Sequence, residues 1–127
     1  MRRLALLLVV TGCGGGGPSL STDRAAYELS SGSVLVKVAV NVGPQGVKHD
    51  GCYLIDRLGD DGSWSPYSPL PGFVRGCHAA GPTDIPPFGS AAIREELREP
   101  GTYRYRTTVS TGAGANEQLI SNTFEVR

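Results

Sequence analysis

The sequence predicts an all-β fold, an antiparallel β-sandwich of about seven strands, from three observations. Apolar residues recur at every second position in several separate runs. Clusters of Gly, Pro, Asn, Asp and Ser punctuate those runs, and helical spacing is nearly absent. The strongest run is Ser33 to Gly43, where Val34, Val36, Val38, Val40 and Val42 alternate with residues that include Lys37 and Asn41. Successive side chains of a strand point to opposite faces, so this is a long strand with one face in a core. A similar alternation occurs in Cys52, Leu54 and Leu58, interrupted by Asp56. Tyr103, Tyr105, Thr107 and Val109 repeat it against Arg104 and Arg106, and Ile120, Asn122, Phe124 and Val126 close the chain in the same way. Leu20 to Leu29 is a weaker strand, broken by Asp23 and Arg24. Ser90 to Leu97 contains good helix formers, with Ile93 and Leu97 four apart, but a lone two-turn helix between strand signals is marginal, so a strand is favoured. Turns are expected at Ser31-Gly32, Gly43-Pro44, Asp61-Gly62, Pro100-Gly101 and Gly112 to Gly114.

Composition bounds the function. The 127 residues carry 12 Lys plus Arg against 12 Asp plus Glu, and the basic residues are scattered. No broad positive field is available to hold a phosphate backbone, so nucleic acid is not an expected partner. The longest apolar run, Leu4 to Val10, is far shorter than the roughly 20 residues of a spanning helix.

Met1-Arg2-Arg3, then Leu4 to Val10, then Thr11-Gly12 have the order of a secretory signal over residues 1–12. The string Val10-Thr11-Gly12-Cys13 resembles the bacterial lipobox. That resemblance implies that Cys13 is lipidated and becomes the mature N-terminus, in a protein facing the periplasm or exterior of a bacterial cell envelope. Residues 13–19, with Gly14 to Gly17, Pro18 and Ser19, form a glycine-rich tether, and residues 20–127 form the domain. Losing Arg2 and Arg3 leaves the mature chain with two fewer basic than acidic residues.

Within the domain, Pro100-Gly101-Thr102-Tyr103-Arg104-Tyr105 resembles the entry to the penultimate strand of immunoglobulin-like or fibronectin-type sandwiches. Tyr103 stands where such folds place a tyrosine that bonds back to the chain at the corner. Ser121 to Val126 is similar to their last strand. The resemblance implies an immunoglobulin-like architecture and carries no functional residues with it.

With Cys13 given to lipid, Cys52 and Cys77 remain as a pair in an exported protein, and a disulfide closing 24 intervening residues is expected. The competing reading is a metal site of His49, Cys52, Cys77 and His78, although its spacing is not that of a zinc finger. If the disulfide forms, both histidines are expected in exposed loops. Six of the nine prolines lie between Pro66 and Pro87, so residues 59–89 read as a long connection lacking amide donors for a central sheet. Trp64, Tyr67, Phe73 and Phe88 lie in or beside it and either bind a protein or glycan partner or cover the open end of the sandwich.

Gly-x-Ser-x-Gly, Walker, His-Glu-x-x-His and dinucleotide strings are absent from the sequence. The expectation is therefore an envelope lipoprotein anchored to a membrane, with a non-catalytic binding or scaffolding domain and no cofactor. The alternatives are the metal-binding lipoprotein and a protease-inhibitor-like module that presents Trp64 to Phe88 to an enzyme.

Overall fold

The structure, a computed structural model, describes residues 17–68, 78–79, 81–111 and 114–127. Regular structure among them consists of strands: β1 (Ser19–Thr22), β2 (Ala26–Tyr27), β3 (Val34–Asn41), β4 (Val47–His49), β5 (Cys52–Leu58) and β6 (Trp64–Pro66). They continue with β7 (His78–Ala79), β8 (Thr83–Ile85), β9 (Ser90–Leu97), β10 (Gly101–Ser110), β11 (Asn116–Ile120) and β12 (Phe124–Val126).

Two sheets face one another. The first is three-stranded, in the order β9-β3-β1, and both neighbours run antiparallel to the valine strand β3. The second centres on β10, which pairs with β12 and then β11 along one edge and with β5 and then β4 along the other. β5 also carries β6 and β7, and β8 lies outside β4. The opening segment contributes to both sheets, because β1 pairs with β3 while β2 runs parallel to the closing strand β12. This is an immunoglobulin-like β-sandwich.

The core forms where the two inner faces meet. Val36, Val38 and Val40 of β3 and Leu97 of β9 are fully buried, whereas Leu35 on the other face of β3 is 62% exposed. Opposite them stand Tyr103, Tyr105 and Phe124. The Phe124 ring stacks on Tyr105 at a centroid distance of 5.7 Å and on Tyr103 at 5.8 Å, and Tyr27 meets it edge-on at 5.6 Å. Such pairs contribute about 0.5–1.5 kcal/mol each beyond the area they bury.

Ser90 to Leu97 is a strand, paired along its whole length with β3. The Tyr103 hydroxyl donates to the Glu99 carbonyl at 2.8 Å, closing the corner where the resemblance placed it. Asp61-Gly62 forms the β5–β6 turn, with Gly62 at φ 85° and the Asp61 carboxylate accepting from the Ser63 amide and hydroxyl.

Several expectations are corrected. The phase of β5 is the reverse of that predicted: Tyr53 and Ile55 enter the core, while Leu54 and Leu58 are half-buried on the outer face. The closing run is two strands. Leu119 and Ser121 are buried and Ile120 is 50% exposed, and the break at Ser121 lets Phe124 and Val126 return to the core. Ser121 fills the break by donating its amide to the Tyr105 carbonyl and accepting from the Tyr105 amide through Oγ at 2.8 Å. Leu20 to Leu29 likewise divides, with Asp23 and Arg24 between β1 and β2. Residues 59–89 are not a bare loop, because β6, β7 and β8 form within them. Short edge strands tolerate proline, since only one side of the backbone pairs.

Candidate functional site

Strand alternation and register assemble a charged and aromatic array on the outer face of the second sheet. Asp56 of β5 pairs directly with Arg104 of β10, and Leu58 with Trp64 of β6. Arg104 and Arg106 lie on the same side of β10, two residues apart, opposite the inward Tyr103 and Tyr105. The Asp56 carboxylate accepts from Arg106 at 2.7 and 3.0 Å and from Arg104 at 3.0 Å. Burial pushes the Asp56 carboxyl up, but hydrogen bonds and charge from Arg106 and Arg104 outweigh it and hold the group below its ordinary range. The Arg104 guanidinium also lies over the Trp64 ring, 4.5 Å from its centroid. Both arginines stay in touch with water, at 24% and 21% side-chain exposure. Beside the array, Leu58, Ser65 and Thr102 line an open depression of about 520 Å³.

Next to it, Arg57 turns the other way and closes the end of the sandwich. Its guanidinium donates to Glu99 at 3.0 Å and to the Pro100 carbonyl at 2.6 Å, and lies 5.7 Å from the ring centres of both Tyr67 and Tyr103. Tyr67 meets Tyr103 edge-on at 5.2 Å, so it extends the aromatic core.

The predicted aromatic set is thus dispersed. Trp64 belongs to the arginine array, Tyr67 covers the core end, and Phe73 lies outside the described residues. Phe88 sits at the far end of the sandwich and is 77% exposed. β10 separates the two ends: Trp64 lies near its Thr102 end and Phe88 near its Ser110 end, some 27 Å away at about 3.4 Å per residue.

Of the Cys/His set, Cys77 lies outside the described residues, and among the described residues no three His, Cys, Asp or Glu side chains cluster to hold an ion. His49 is 2% exposed on β4 instead of lying in a surface loop. It pairs with Val109, shares the inner face and places Nε2 2.7 Å from the Thr107 hydroxyl, which itself donates to the Cys52 carbonyl at 2.6 Å. Desolvation lowers the His49 pKa from its ordinary value, against the opposing pull of Asp50. Cys52 lies on the other face of the sheet, with Leu54 and Asp56. Cys13 and Cys77 lie outside the described residues. His78 lies on β7, paired in register with Tyr53, instead of in a loop. What the sequence could not reveal was the Asp56 array, because Asp56 is 48 and 50 residues from its two arginines.

No family profile matches the chain, and no curated protein does. Solved structures align with it at low identity. A structural-genomics target, SoR45, is 18% identical over 85% of this chain and 81% of its own, with a TM-score of 0.44. The alkylpurine DNA glycosylase AlkC of Pseudomonas fluorescens, solved bound to DNA containing an abasic-site analogue, is 16% identical with a TM-score of 0.46; the match covers 90% of this chain and 31% of that one. The PapD-like domain 7 of human CEP192 is 9% identical over all of this chain and 96% of its own, with a TM-score of 0.39.

Proposed function

We propose that the chain is a cell-envelope lipoprotein, anchored to a membrane through Cys13, whose sandwich binds or scaffolds an envelope partner without catalysis. One observation supports the non-catalytic reading above others: each buried ionisable side chain among the described residues is engaged within the sandwich itself. His49 is held to Thr107, Asp56 to Arg104 and Arg106, Tyr27 to Asp23, Tyr53 to the Ala91 carbonyl, Tyr103 to the Glu99 carbonyl and Tyr105 to Glu95. Groups committed in this way stabilise the fold.

The binding face in this reading is the Trp64–Arg104–Asp56–Arg106 array. Trp and Arg dominate binding energy at protein interfaces, and here the guanidinium groups are fixed before any partner arrives, which lowers the entropy cost of binding. A Cys52–Cys77 disulfide belongs to the same proposal, because the Tyr53–His78 pairing sets the residues that follow the two cysteines side by side. In that reading, Cys13→Ala moves the protein from the membrane pellet to the soluble envelope fraction. The binding face is tested with a photo-cross-linker at exposed Ser65, beside Trp64, in intact cells. A discrete adduct that Trp64→Ala abolishes supports the reading. No adduct, or one indifferent to Trp64→Ala, overturns it.

A further inference from the structure

The end of the sandwich opposite Trp64 carries an aromatic side chain whose placement the core does not explain. Pro86-Pro87-Phe88-Gly89 connects β8 in one sheet to β9 in the other. Its backbone is closed by the Gly89 amide on the Pro86 carbonyl at 2.9 Å, and it is pinned to the facing loop by the Phe88 amide on the Gly43 carbonyl at 2.8 Å and the Val42 amide on the Gly89 carbonyl at 3.1 Å. Within this turn Phe88 has φ 60°, a left-handed conformation that disfavours a bulky side chain, and its ring is 77% exposed. Glycine would suit that backbone better, so the phenyl ring is retained against the local preference. Two prolines and three hydrogen bonds hold it in place.

The same end receives the N-terminal segment. Ser19 and Ser90 flank Asn41 on its two sides, and Gly17 and Pro18 line a cavity with Gly43, Pro44 and Gln45. Neither Gly43 to Gly46 nor Pro86 to Gly89 contains a charged residue. Set back from this tip, Lys48 and Asp84 face each other at 3.8 Å with most of their surface in water.

We infer that the Pro86–Gly89 turn is a second membrane contact, with Phe88 entering the interfacial layer of the bilayer to which Cys13 is anchored. The inference rests on the anchored reading above. Five residues separate Cys13 from Ser19, and the six steps between them reach at most about 22 Å when fully extended. A tether so short keeps the end it leaves from close to the lipid, and the two turns at the tip of that end carry no charge. A single phenyl ring binds a bilayer weakly by itself, but tethering makes the contact intramolecular and supplies a high effective concentration. The lipid surface would thus hold the sandwich end-on, with the Trp64–Arg104 array at the far end, away from the membrane.

The test uses the full lipidated chain carrying Phe88→Trp in vesicles of phosphatidylcholine and phosphatidylglycerol, with and without brominated acyl chains. The parent, whose only tryptophan is Trp64, sets the baseline. The expected result is blue-shifted emission from residue 88 that brominated chains extinguish, with the Trp64 emission unaffected. Water-like, unquenched emission from residue 88 in vesicle-bound protein overturns the inference. So does burial of residue 88 in native envelopes but not in pure lipid, which would mark a protein as its partner. Flotation of the same sample reports the anchor separately. If the chain does not float, coupling Cys13 to a maleimide lipid restores a tether of the same length, and quenching then tests the turn independently of lipidation. Phe88→Gly keeps the hydrogen-bonded turn and relieves its backbone, so it should raise Tm while losing the vesicle-dependent hydrogen-exchange protection of residues 43–46. Unchanged protection in that variant would also count against the membrane contact.

Discussion

The Tyr103 hydroxyl donates to the carbonyl oxygen of Glu99 at 2.8 Å, tying the first turn of β10 to the segment that enters it. The ring is fully buried between Tyr67 and Phe124, and burial raises the phenol's pKa. Tyr103→Phe keeps the packing and strands one backbone carbonyl, so it should lower stability by about 1–2 kcal/mol in urea denaturation with an unchanged m-value. A loss near zero would mean that the corner is held by Arg57 on Pro100 alone.

Arg104 and Arg106 share the Asp56 carboxylate. Asp56→Asn leaves both guanidinium groups facing one another without a counter-charge. Breaking a buried ion pair costs about 3–5 kcal/mol, but these arginines retain contact with water, so a loss of about 2 kcal/mol is expected. Trp64 emission should change at the same time, because Arg104 no longer has a carboxylate fixing it over the indole. Chemical denaturation followed by both circular dichroism and fluorescence checks this.

His49 and Asp56 predict two separate acid transitions in stability. The folded pKa of each lies below its ordinary value, 6.5 for His49 and 3.8 for Asp56, so each contributes stability that is complete above that value. As pH falls from 6.5 toward the folded pKa of His49, the unfolded chain takes up a proton that the buried imidazole does not, and stability drops. Asp56 adds a further drop below 3.8. His49→Gln should flatten the first phase and leave the second, in urea midpoints measured from pH 7.5 to 3.

Gly51 and Gly62 share a left-handed backbone, with φ 80° and 85°, but not their surroundings. A Cβ on Gly51 would come within 2.2 Å of the Gly81 carbonyl oxygen, whereas one on Gly62 would meet nothing within 4 Å. Gly62→Ala should cost about 1 kcal/mol from backbone strain alone. Gly51→Ala should cost more than twice as much, because the β7–β8 connection must move. Thermal melts of the two variants side by side give the comparison.

Legibility in the sequence followed the range of the interactions. β3, β9 and β10 could be read because alternation is local, and each is a long strand with one face against the core. The phase of β5 is not legible because apolar residues stand on both of its faces, and Asp56 interrupts the alternation with no local sign of the two β10 arginines that pair with it. His49 looked like a loop residue for the same reason: its partner Thr107 is 58 residues away. The four aromatics near the proline-rich stretch are close in sequence, yet pairing of β6 with β5 and of the Phe88 turn with Gly43 sends Trp64 and Phe88 to opposite ends. No periodicity carries that information.

The anchored reading is tested most directly by the intact mass of the mature N-terminal peptide from membrane-extracted protein. The expected peptide begins at Cys13 and carries the mass of a diacylglyceryl group on that cysteine. A chain beginning at any other residue, or an unmodified Cys13 thiol, would contradict it.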